Sequence, residues 1–185
     1  HLNRFPDGIH GKSFYQHELP DPIPDWVDYR QLPHGPDGAD AKRHPLCNRR
    51  ETLLYLVQLG SIDLHPWLSR IQQLDRPDRA VFDLDPKSAS FRDVVRVARE
   101  LGRLLHALDL HPRLNTSGKT GLHITIDLDP VHPYDLVRTF CEAIARLAVR
   151  ALPEIATVER SMARRDGRVY VDILQNRRGL TVVPP

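Results

Sequence analysis

The sequence has few cysteines and no long apolar run, and both shortages narrow the class of protein. Cys47 and Cys141 lie far apart and belong to no CxxC pair, so neither a disulfide framework nor a cysteine zinc site is indicated. No apolar run approaches the roughly 18 residues that a membrane span requires. We therefore expect a soluble protein in a reducing compartment, with no membrane partner.

Charge of one sign is not in large excess either. The 185 residues include 26 Lys and Arg against 24 Asp and Glu, which gives a formal net charge of +2. This balance permits a nucleic-acid partner without requiring one, because a local basic patch matters more than the total. The N-terminal HLNRFPDG has no signal-peptide character, and we expect a cytoplasmic chain that lacks a piece at both ends.

We expect one domain over residues 1–185, with a loop-rich N-terminal lobe at 1–78 and a catalytic core at 79–185. Prolines and glycines are concentrated in the first 45 residues, where long regular elements are not expected. A short helix is predicted to follow Asn48 as N-cap, with Glu51 at its third position, and to end at Gly60.

The core is predicted to alternate strands with two long helices. Strands are expected at 79–86, 113–117 and 122–128, at VYVDILQ, and at LTVVP, and helices at 91–110 and 133–152. This order indicates an α/β (α+β) fold with a largely antiparallel sheet flanked by helices. The helical periodicity predicts that these apolar residues are buried: Val94, Ala98, Leu101, Leu105, Leu108, Leu136, Val137, Phe140, Ile144, Leu147 and Ala151.

Two carboxylates in VFDLDP are the first candidate site. Residues two apart on a strand face the same side, so Asp83 and Asp85 should project together about 7 Å apart. Their mutual repulsion would be removed by a divalent cation, and hard oxygen ligands suit Mg²⁺ or Mn²⁺. The alternative is that both residues end a strand and point into water.

Two further acidic segments compete with that pair. DLDP recurs at Asp127 to Pro130, on a strand whose face, with His123 and Thr125, we expect to be solvated. Asp172 lies in a strand that otherwise has core character, where a lone acid is costly unless it is paired. A salt bridge from Asp172 to an arginine is equally open, the candidates being Arg164, Arg165 and Arg168.

A glycine turn, TSGKTGLH, joins two of the predicted strands. Its backbone N–H groups and Lys119 could hold phosphates, although an ordinary hairpin turn fits equally well. Near the N-terminus, Phe14 and Tyr15 could stack on bases while Arg4 and Lys12 meet phosphates. Adjacent aromatic residues more often divide between core and surface, and a lone histidine such as His65 is more often structural.

Taken jointly, RFPDGIHGKSFYQ, IDLHP, VFDLDP, TSGKTGLH and VYVDILQN resemble, in order and spacing, the polymerase domain of bacterial ligase D. That domain belongs to the archaeo-eukaryotic primase superfamily, and the match covers nearly the whole chain. The resemblance implies an RRM-like sheet and a template-directed nucleotidyltransferase that fills gaps or extends DNA ends in non-homologous end joining. It also implies a segment before residue 1 and another beyond the last prolines.

The resemblance assigns roles to residues one by one. It implies that Asp83, Asp85 and Asp172 are the catalytic acids and hold two ions, Mn²⁺ or Mg²⁺. It implies a nucleotide site at His65, Ser117, Gly118, Lys119, Gly121, His123, Arg165, Gln175 and Asn176. It places DNA contacts at Arg4, Lys12, Phe14 and Tyr15.

The implied partners are DNA ends or gapped DNA with a 5′-phosphate, an NTP or dNTP, and by analogy Ku and a DNA ligase. The implied location is the cytoplasm of a bacterium or archaeon, in association with the nucleoid. Two other functions stay open at this point: a metal-dependent nuclease that uses the same acids, and a module that binds nucleic acid or nucleotide without chemistry.

Overall fold

A computed structural model describes residues 1–34 and 40–181. Within these ranges the chain forms two compact units, an N-terminal unit of His1–Pro66 with Thr181 and a core unit of Trp67–Leu180. The predicted division at residue 78 into a lobe and a core of one domain stays a prediction. None of the helices in the described ranges combines the length and apolar character needed to cross a bilayer.

The N-terminal unit is built from short elements. Its strands are β1 (Leu2–Arg4), β2 (Phe14–Gln16), β3 (Tyr29–His34), β4 (Asp40–Pro45) and β5 (Ser61–Leu64), and its helix is α1 (Arg50–Gln58). Strands β2, β1 and β5 form an antiparallel sheet in that order, and β3 pairs with β4. The small core of the unit contains Leu2, Leu19, Val27 and Leu56.

Two sequence-based expectations for this unit are wrong. The β3–β4 hairpin was not predicted, because its prolines suggested a loop; a two-stranded ribbon has free edges where Pro33 and Pro45 need no ladder donor. The N-cap of α1 is Arg49 rather than Asn48, and its side chain makes no capping hydrogen bond. The predicted end at Gly60 is confirmed, since this residue has a φ of 75° and its N–H donates to the Val57 carbonyl.

The core unit contains one five-stranded sheet and two long helices. Its elements are β6 (Arg79–Asp85), α2 (Phe91–His106), β7 (Arg113–Thr116), β8 (Leu122–Asp127), α3 (Tyr134–Ala151), β9 (Ala156–Thr157) and β10 (Val169–Asp172). The strand order is β7-β8-β6-β10-β9, and of these pairs only β9–β10 is parallel. The predicted α/β class with a largely antiparallel sheet is confirmed; LTVVP lies mostly outside the described residues.

The two faces of this sheet differ in chemistry because successive side chains of a strand alternate. On the helix face, Ala80, Phe82 and Leu84 of β6 join the buried residues of α2 and α3 in one apolar cluster. On the other face, which we call the open face, β6 presents Asp83 and Asp85, which are partly exposed, and Val81, which is itself fully buried.

The helices bury a stripe that differs from the predicted one at three leucines and at Ala151, which is exposed at the end of α3. Leu108, Leu136 and Leu147 are 52%, 51% and 47% exposed. Leu108 follows the end of α2, and Leu136 is rotated about 100° from its neighbour Val137 on a helix of 3.6 residues per turn. The buried positions of α3 are Tyr134, Val137, Cys141, Ile144, Ala145 and Ala148.

Candidate active site

Three carboxylates meet on the open face of the core sheet. Asp83 of β6 lies opposite Asp172 at the end of β10 in the antiparallel register, and Asp85 is two residues further along β6. Like charges directly opposite each other destabilise a sheet unless something compensates for them. The strands therefore place together the three acids that the sequence singled out.

The surroundings of Asp83 raise the pKa of its carboxyl group. Burial, followed by the negative charges of Asp172 and Asp85, raises the pKa of this carboxyl to about 6. A raised carboxylate pKa measures how unfavourable its negative charge is in this position. The site is thus short of positive charge around Asp83.

Asp85 is compensated by an arginine. Arg165, which is only 8% exposed, donates to the Asp85 carboxylate at 2.8 Å and to the carbonyl of Glu159 at 3.2 Å. Its guanidinium lies 3.9 Å from the centre of the Tyr170 ring. The open alternative of an Asp172 salt bridge to this loop is wrong for the part of the chain that the structure describes, because Arg165 pairs with Asp85, Arg168 pairs with Asp166 and Arg164 forms no ion pair.

Asp172 is held by uncharged donors. Its Oδ1 accepts the N–H of Leu174 at 2.9 Å and the hydroxyl of Tyr170 at 3.3 Å. Burial, followed by the charge of Asp172, raises the pKa of Tyr170 to about 12, so this hydroxyl keeps its proton at neutral pH. Tyr170 was missed by sequence reasoning, although its position two residues before Asp172 on one strand puts both on the same face.

Gln175 and Asn176 follow β10: Gln175 contacts the acids, and Asn176 contacts the backbone. The Gln175 side-chain nitrogen lies 3.5 Å from an oxygen of Asp83 and 3.5 Å from one of Asp172, so it stands between the two acids. Asn176 is buried, and its amide bonds to the backbone N–H and carbonyl of Val81 and to the carbonyl of Ile173. Asn176 thereby fixes the segment that carries Gln175 against β6.

His123 lies on the same face as the acids. It pairs with Asp83 in the β6–β8 register, and its Nε2 is 3.5 Å from an Asp83 carboxylate oxygen. Burial lowers the pKa of His123, which favours the neutral imidazole. The expectation of a fully solvated face is wrong for His123 and Thr125, which are buried, whereas Asp127 is exposed and forms an ion pair with Arg113.

The glycine turn connects β7 to β8 beside Asp85. Ser117 closes it, because its N–H donates to the Gly121 carbonyl and its Oγ accepts the Gly121 N–H, both at 3.0 Å. Gly118 has a φ of 81°, and a Cβ at Gly121 would overlap the carbonyl oxygen of Leu84. Lys119 is exposed between the two glycines.

The remaining predicted residues belong to the N-terminal unit. Arg4 donates to the Leu59 carbonyl and to Gln16, and its guanidinium lies 5.4 Å from the Phe14 ring centre. Phe14 and Tyr15 are 47% and 58% exposed, so neither is a core residue. The Tyr15 ring meets His65 edge-on, His65 lies 3.0 Å from an Asp63 carboxylate oxygen, and Lys12 is exposed.

The donor set suits a hard divalent cation. Three carboxylates on neighbouring strands offer oxygen ligands, and the raised pKa of Asp83 shows that a positive charge there would be favourable. Within residues 1–34 and 40–181, no three His, Cys, Asp or Glu side chains already stand in coordinating geometry. Asp85 is directed to Arg165 and Asp172 to Leu174, so the carboxylates would have to turn to share an ion.

Comparisons with known proteins show the family of the chain. The family model of the LigD primase-polymerase domain matches residues 1–185. The chain is 36% identical over 186 residues to the multifunctional non-homologous end joining protein LigD of Pseudomonas aeruginosa, covering 98% of this chain and 21% of that protein. It is 34% identical over 184 residues to the bifunctional LigD of Bacillus subtilis, covering 98% of this chain and 29% of that protein.

A solved structure shares the fold. The polymerase domain of Mycobacterium tuberculosis ligase D in complex with DNA superposes with a TM-score of 0.89 at 24% identity, over 100% of this chain and 66% of that one. The chain spans less than a third of the length of the two curated relatives. The resemblance stated from the motifs is confirmed, and the chain belongs to the LigD primase-polymerase domain family.

Proposed function

We propose that this chain is the nucleotidyltransferase domain of an end-joining protein and adds nucleotides to a primer 3′-hydroxyl under the direction of a template strand. The observation that carries the proposal is the cluster of Asp83, Asp85 and Asp172 on the open face, in which Asp83 is under-compensated. Residues 1–185 would act as one primase-polymerase domain. Membership in the family supports this reaction class.

The three acids would hold two divalent ions, Mn²⁺ or Mg²⁺. When bound, such ions lower the pKa of the primer hydroxyl and stabilise the charge of the leaving pyrophosphate. Asp83 and Asp85 would serve both ions and Asp172 one of them. Gln175, which lies between Asp83 and Asp172, would keep these carboxylates in place.

The chain's own groups would bind the incoming nucleotide at the glycine turn. Ser117, Gly118, Lys119 and Gly121 offer a hydroxyl, backbone N–H groups and a positive charge to a triphosphate. His123, with its depressed pKa, would act as a neutral hydrogen-bond donor. Catalysis then consists of placement and electrostatic stabilisation, without a covalent intermediate.

Arg165 and Asn176 would contribute by positioning. Arg165 orients Asp85 through its guanidinium, a group whose geometry also suits a phosphate of the nucleotide. Asn176 holds the strand end that carries Gln175. For His65, the family resemblance alone supports a role in nucleotide binding.

DNA would be recognised partly by the N-terminal unit. Phe14 and Tyr15 are exposed and can stack on bases, while Arg4 and Lys12 supply positive charge for phosphates. The solved relative was determined in complex with DNA. The substrate would be a DNA end or a gap with a 5′-phosphate. The partner proteins would be Ku and a DNA ligase, and the reaction would serve double-strand break repair in the cytoplasm of a bacterium or archaeon.

Primer extension on a gapped duplex with a 5′-phosphate tests this proposal. The assay supplies Mn²⁺ and either ribonucleotides or deoxyribonucleotides to the wild type, Asp83→Asn and Asp129→Asn. The last variant is a control of equal charge, because Asp129 is an exposed aspartate of the second DLDP, where it corresponds to Asp85. We expect Asp83→Asn to lose at least about a hundredfold in extension rate and Asp129→Asn to extend normally.

Three results would contradict the proposal. Undiminished extension by Asp83→Asn would remove the acids from the reaction. Shortening of DNA ends in metal without added nucleotide would indicate a nuclease. DNA binding without chemistry by the wild type would leave a binding module.

A further inference from the structure

A cavity of about 650 Å³ lies at the opposite end of the open face from the glycine turn. Its lining includes residues at the start of β6, the start of β7 and the end of β8, together with the segment that precedes β6. We call it the arginine cavity, because Arg70, Arg76, Arg79 and Arg113 all line it.

The arginine cavity has more positive charge than its own acids neutralise. Four arginines face two aspartates, Asp78 and Asp127, which leaves a surplus of 4 − 2 = 2 positive charges. Asp127 forms an ion pair with Arg113, and Asp78 lies 2.6 Å from Arg70 and 3.7 Å from Arg79. Both carboxylates are therefore already occupied by guanidinium groups.

Two of the arginines keep unused hydrogen-bonding capacity. Arg76 forms no ion pair within the described ranges 1–34 and 40–181. The Nε of Arg79 is buried, and it has no hydrogen-bond partner among the described residues. An unpartnered buried N–H costs free energy, and the planar fork of a guanidinium matches the oxygens of a phosphate. The chemistry of the cavity thus suits a phosphate group.

The position of the cavity indicates which phosphate. Arg79 and Asp83 are on the same face of β6, four residues and about 13 Å apart. In phosphoryl transfer the attacking and leaving oxygens are roughly in line, so a triphosphate at the glycine turn requires the primer hydroxyl to approach from the other side of the acids. That is the side of the arginine cavity.

We propose that the arginine cavity binds a phosphodiester of the primer strand about four nucleotides behind its 3′ end. This number follows from about 13 Å at the 3.4 Å rise per nucleotide of one stacked strand. The inference rests on the proposed function, since it takes the acids as the place where the primer ends. It adds a site that grips the strand away from the chemistry.

Neutral linkages placed one at a time in the primer test the proposal. Primers with a single methylphosphonate at the second to the seventh linkage from the 3′ end are annealed to the gapped duplex, and affinity is measured by fluorescence anisotropy. The proteins are the wild type, Arg76→Gln/Arg79→Gln, and a control of equal charge, Arg92→Gln/Arg99→Gln. Arg92 and Arg99 are exposed on α2, which packs on the helix face. Single Arg76→Gln, at an exposed side chain, covers the case in which the double variant fails to fold.

In the wild type and the control we expect a loss of about tenfold in affinity for the linkage at the fourth or fifth position. In Arg76→Gln/Arg79→Gln this linkage should make no difference, and the slope of log affinity against log salt should be smaller in magnitude by about 1, because one phosphodiester is no longer neutralised. Single Arg76→Gln should give a smaller decrease in the magnitude of this slope.

The outcomes separate this inference from the proposed function. If the wild type extends the unmodified primer, but every linkage position gives the same affinity in the wild type and in Arg76→Gln/Arg79→Gln, the cavity inference is overturned and the proposed function stands. Inorganic phosphate at millimolar concentration is added in a second titration of the wild type. If it displaces the primer while affinity does not depend on linkage position, the cavity binds a small phosphorylated molecule, and the primer-strand inference is overturned. If the wild type neither extends nor binds the primer, the proposed function fails together with it.

Discussion

The two faces of the core sheet are made by alternate residues of the same strands, yet they obey opposite electrostatic conditions. On the helix face, β6 contributes Phe82 and Leu84, which are fully buried among apolar side chains. On the open face, it contributes Asp83 and Asp85, whose charges oppose each other and that of Asp172. Substitution of a buried apolar residue on the helix face is therefore expected to change stability, and substitution of an acid on the open face to change chemistry.

The largest expected effect is on the helix face. Replacement Phe82→Ala removes a fully buried ring and should lower the free energy of unfolding by about 3–5 kcal/mol. Leu114→Ala is the control, because Leu114 is paired with Ile124 on the same side of the sheet but is 59% exposed at the edge strand. Denaturant titration should show less than about 0.5 kcal/mol for the control. Equal losses would mean that burial does not distinguish the two positions.

The next effect is steric and lies at the end of the sheet. Gly121→Ala places a methyl group against the Leu84 carbonyl, and we expect a loss of about 1–3 kcal/mol together with weaker nucleotide binding. Thermal unfolding and nucleotide titration would measure both. A variant with unchanged stability and nucleotide affinity would show that β6 and the glycine turn do not need this close approach.

Replacement of Asp83 on the open face should increase the free energy of unfolding at neutral pH, whereas the two preceding substitutions should decrease it. The pKa of Asp83 is raised from its ordinary value near 3.8 to about 6, so the folded state takes up a proton more readily than the unfolded chain. The free energy of unfolding of the wild type should therefore fall as pH rises from about 4 to 6 and stay low above that window. Without divalent ions, Asp83→Asn should be more stable than the wild type at pH 7 by on the order of 2 kcal/mol, and the gain should vanish below pH 4.

Denaturant melts at pH 3.5 and 7 would check that sign. Asp129→Asn is the matched control, since Asp129 is exposed, and it should show no such pH-dependent gain. A wild type that becomes more stable on going from pH 4 to 7, by comparison with Asp83→Asn, would contradict the description of an under-compensated carboxylate.

The smallest expected effect concerns the helices that cover the apolar face. Gly102 lies within α2 with no heavy atom within 4 Å of an added Cβ, so Gly102→Ala should stabilise the chain by about 0.5–1 kcal/mol. Thermal unfolding would show it as a small upward shift with unchanged activity. A lower unfolding midpoint would indicate that the added methyl group meets other atoms on this face of α2.

Long periodic elements were predictable from the sequence because one physical rule decides them. The strand at β6, the amphipathic helices α2 and α3 and the hairpin around the glycine turn all follow from apolar periodicity, and the family resemblance is confirmed. Exact burial was less predictable, since Leu136 and Leu147 satisfy a helical spacing but point away from the core.

The site was only partly predictable for a different reason. Alternation places Asp83 and Asp85 on one side, whereas the pairing of Asp172 with Asp83 depends on a register between residues 89 positions apart in the sequence. The partner of Arg165 and the direction of His123 likewise depend on contacts between distant segments, which local patterns do not specify. The prolines and glycines of the first 45 residues are typical of turns, so the sequence did not predict the pairing of β3 with β4.

The most direct test of the central claim is a thermal melt of the wild type, Asp83→Asn and Asp129→Asn at pH 7 with and without Mn²⁺. If the acids of the open face are one under-compensated cluster that a divalent ion completes, Mn²⁺ should raise the midpoint of the wild type and of Asp129→Asn but leave that of Asp83→Asn unchanged. An equal rise in all three proteins, or none in the wild type, would contradict the account.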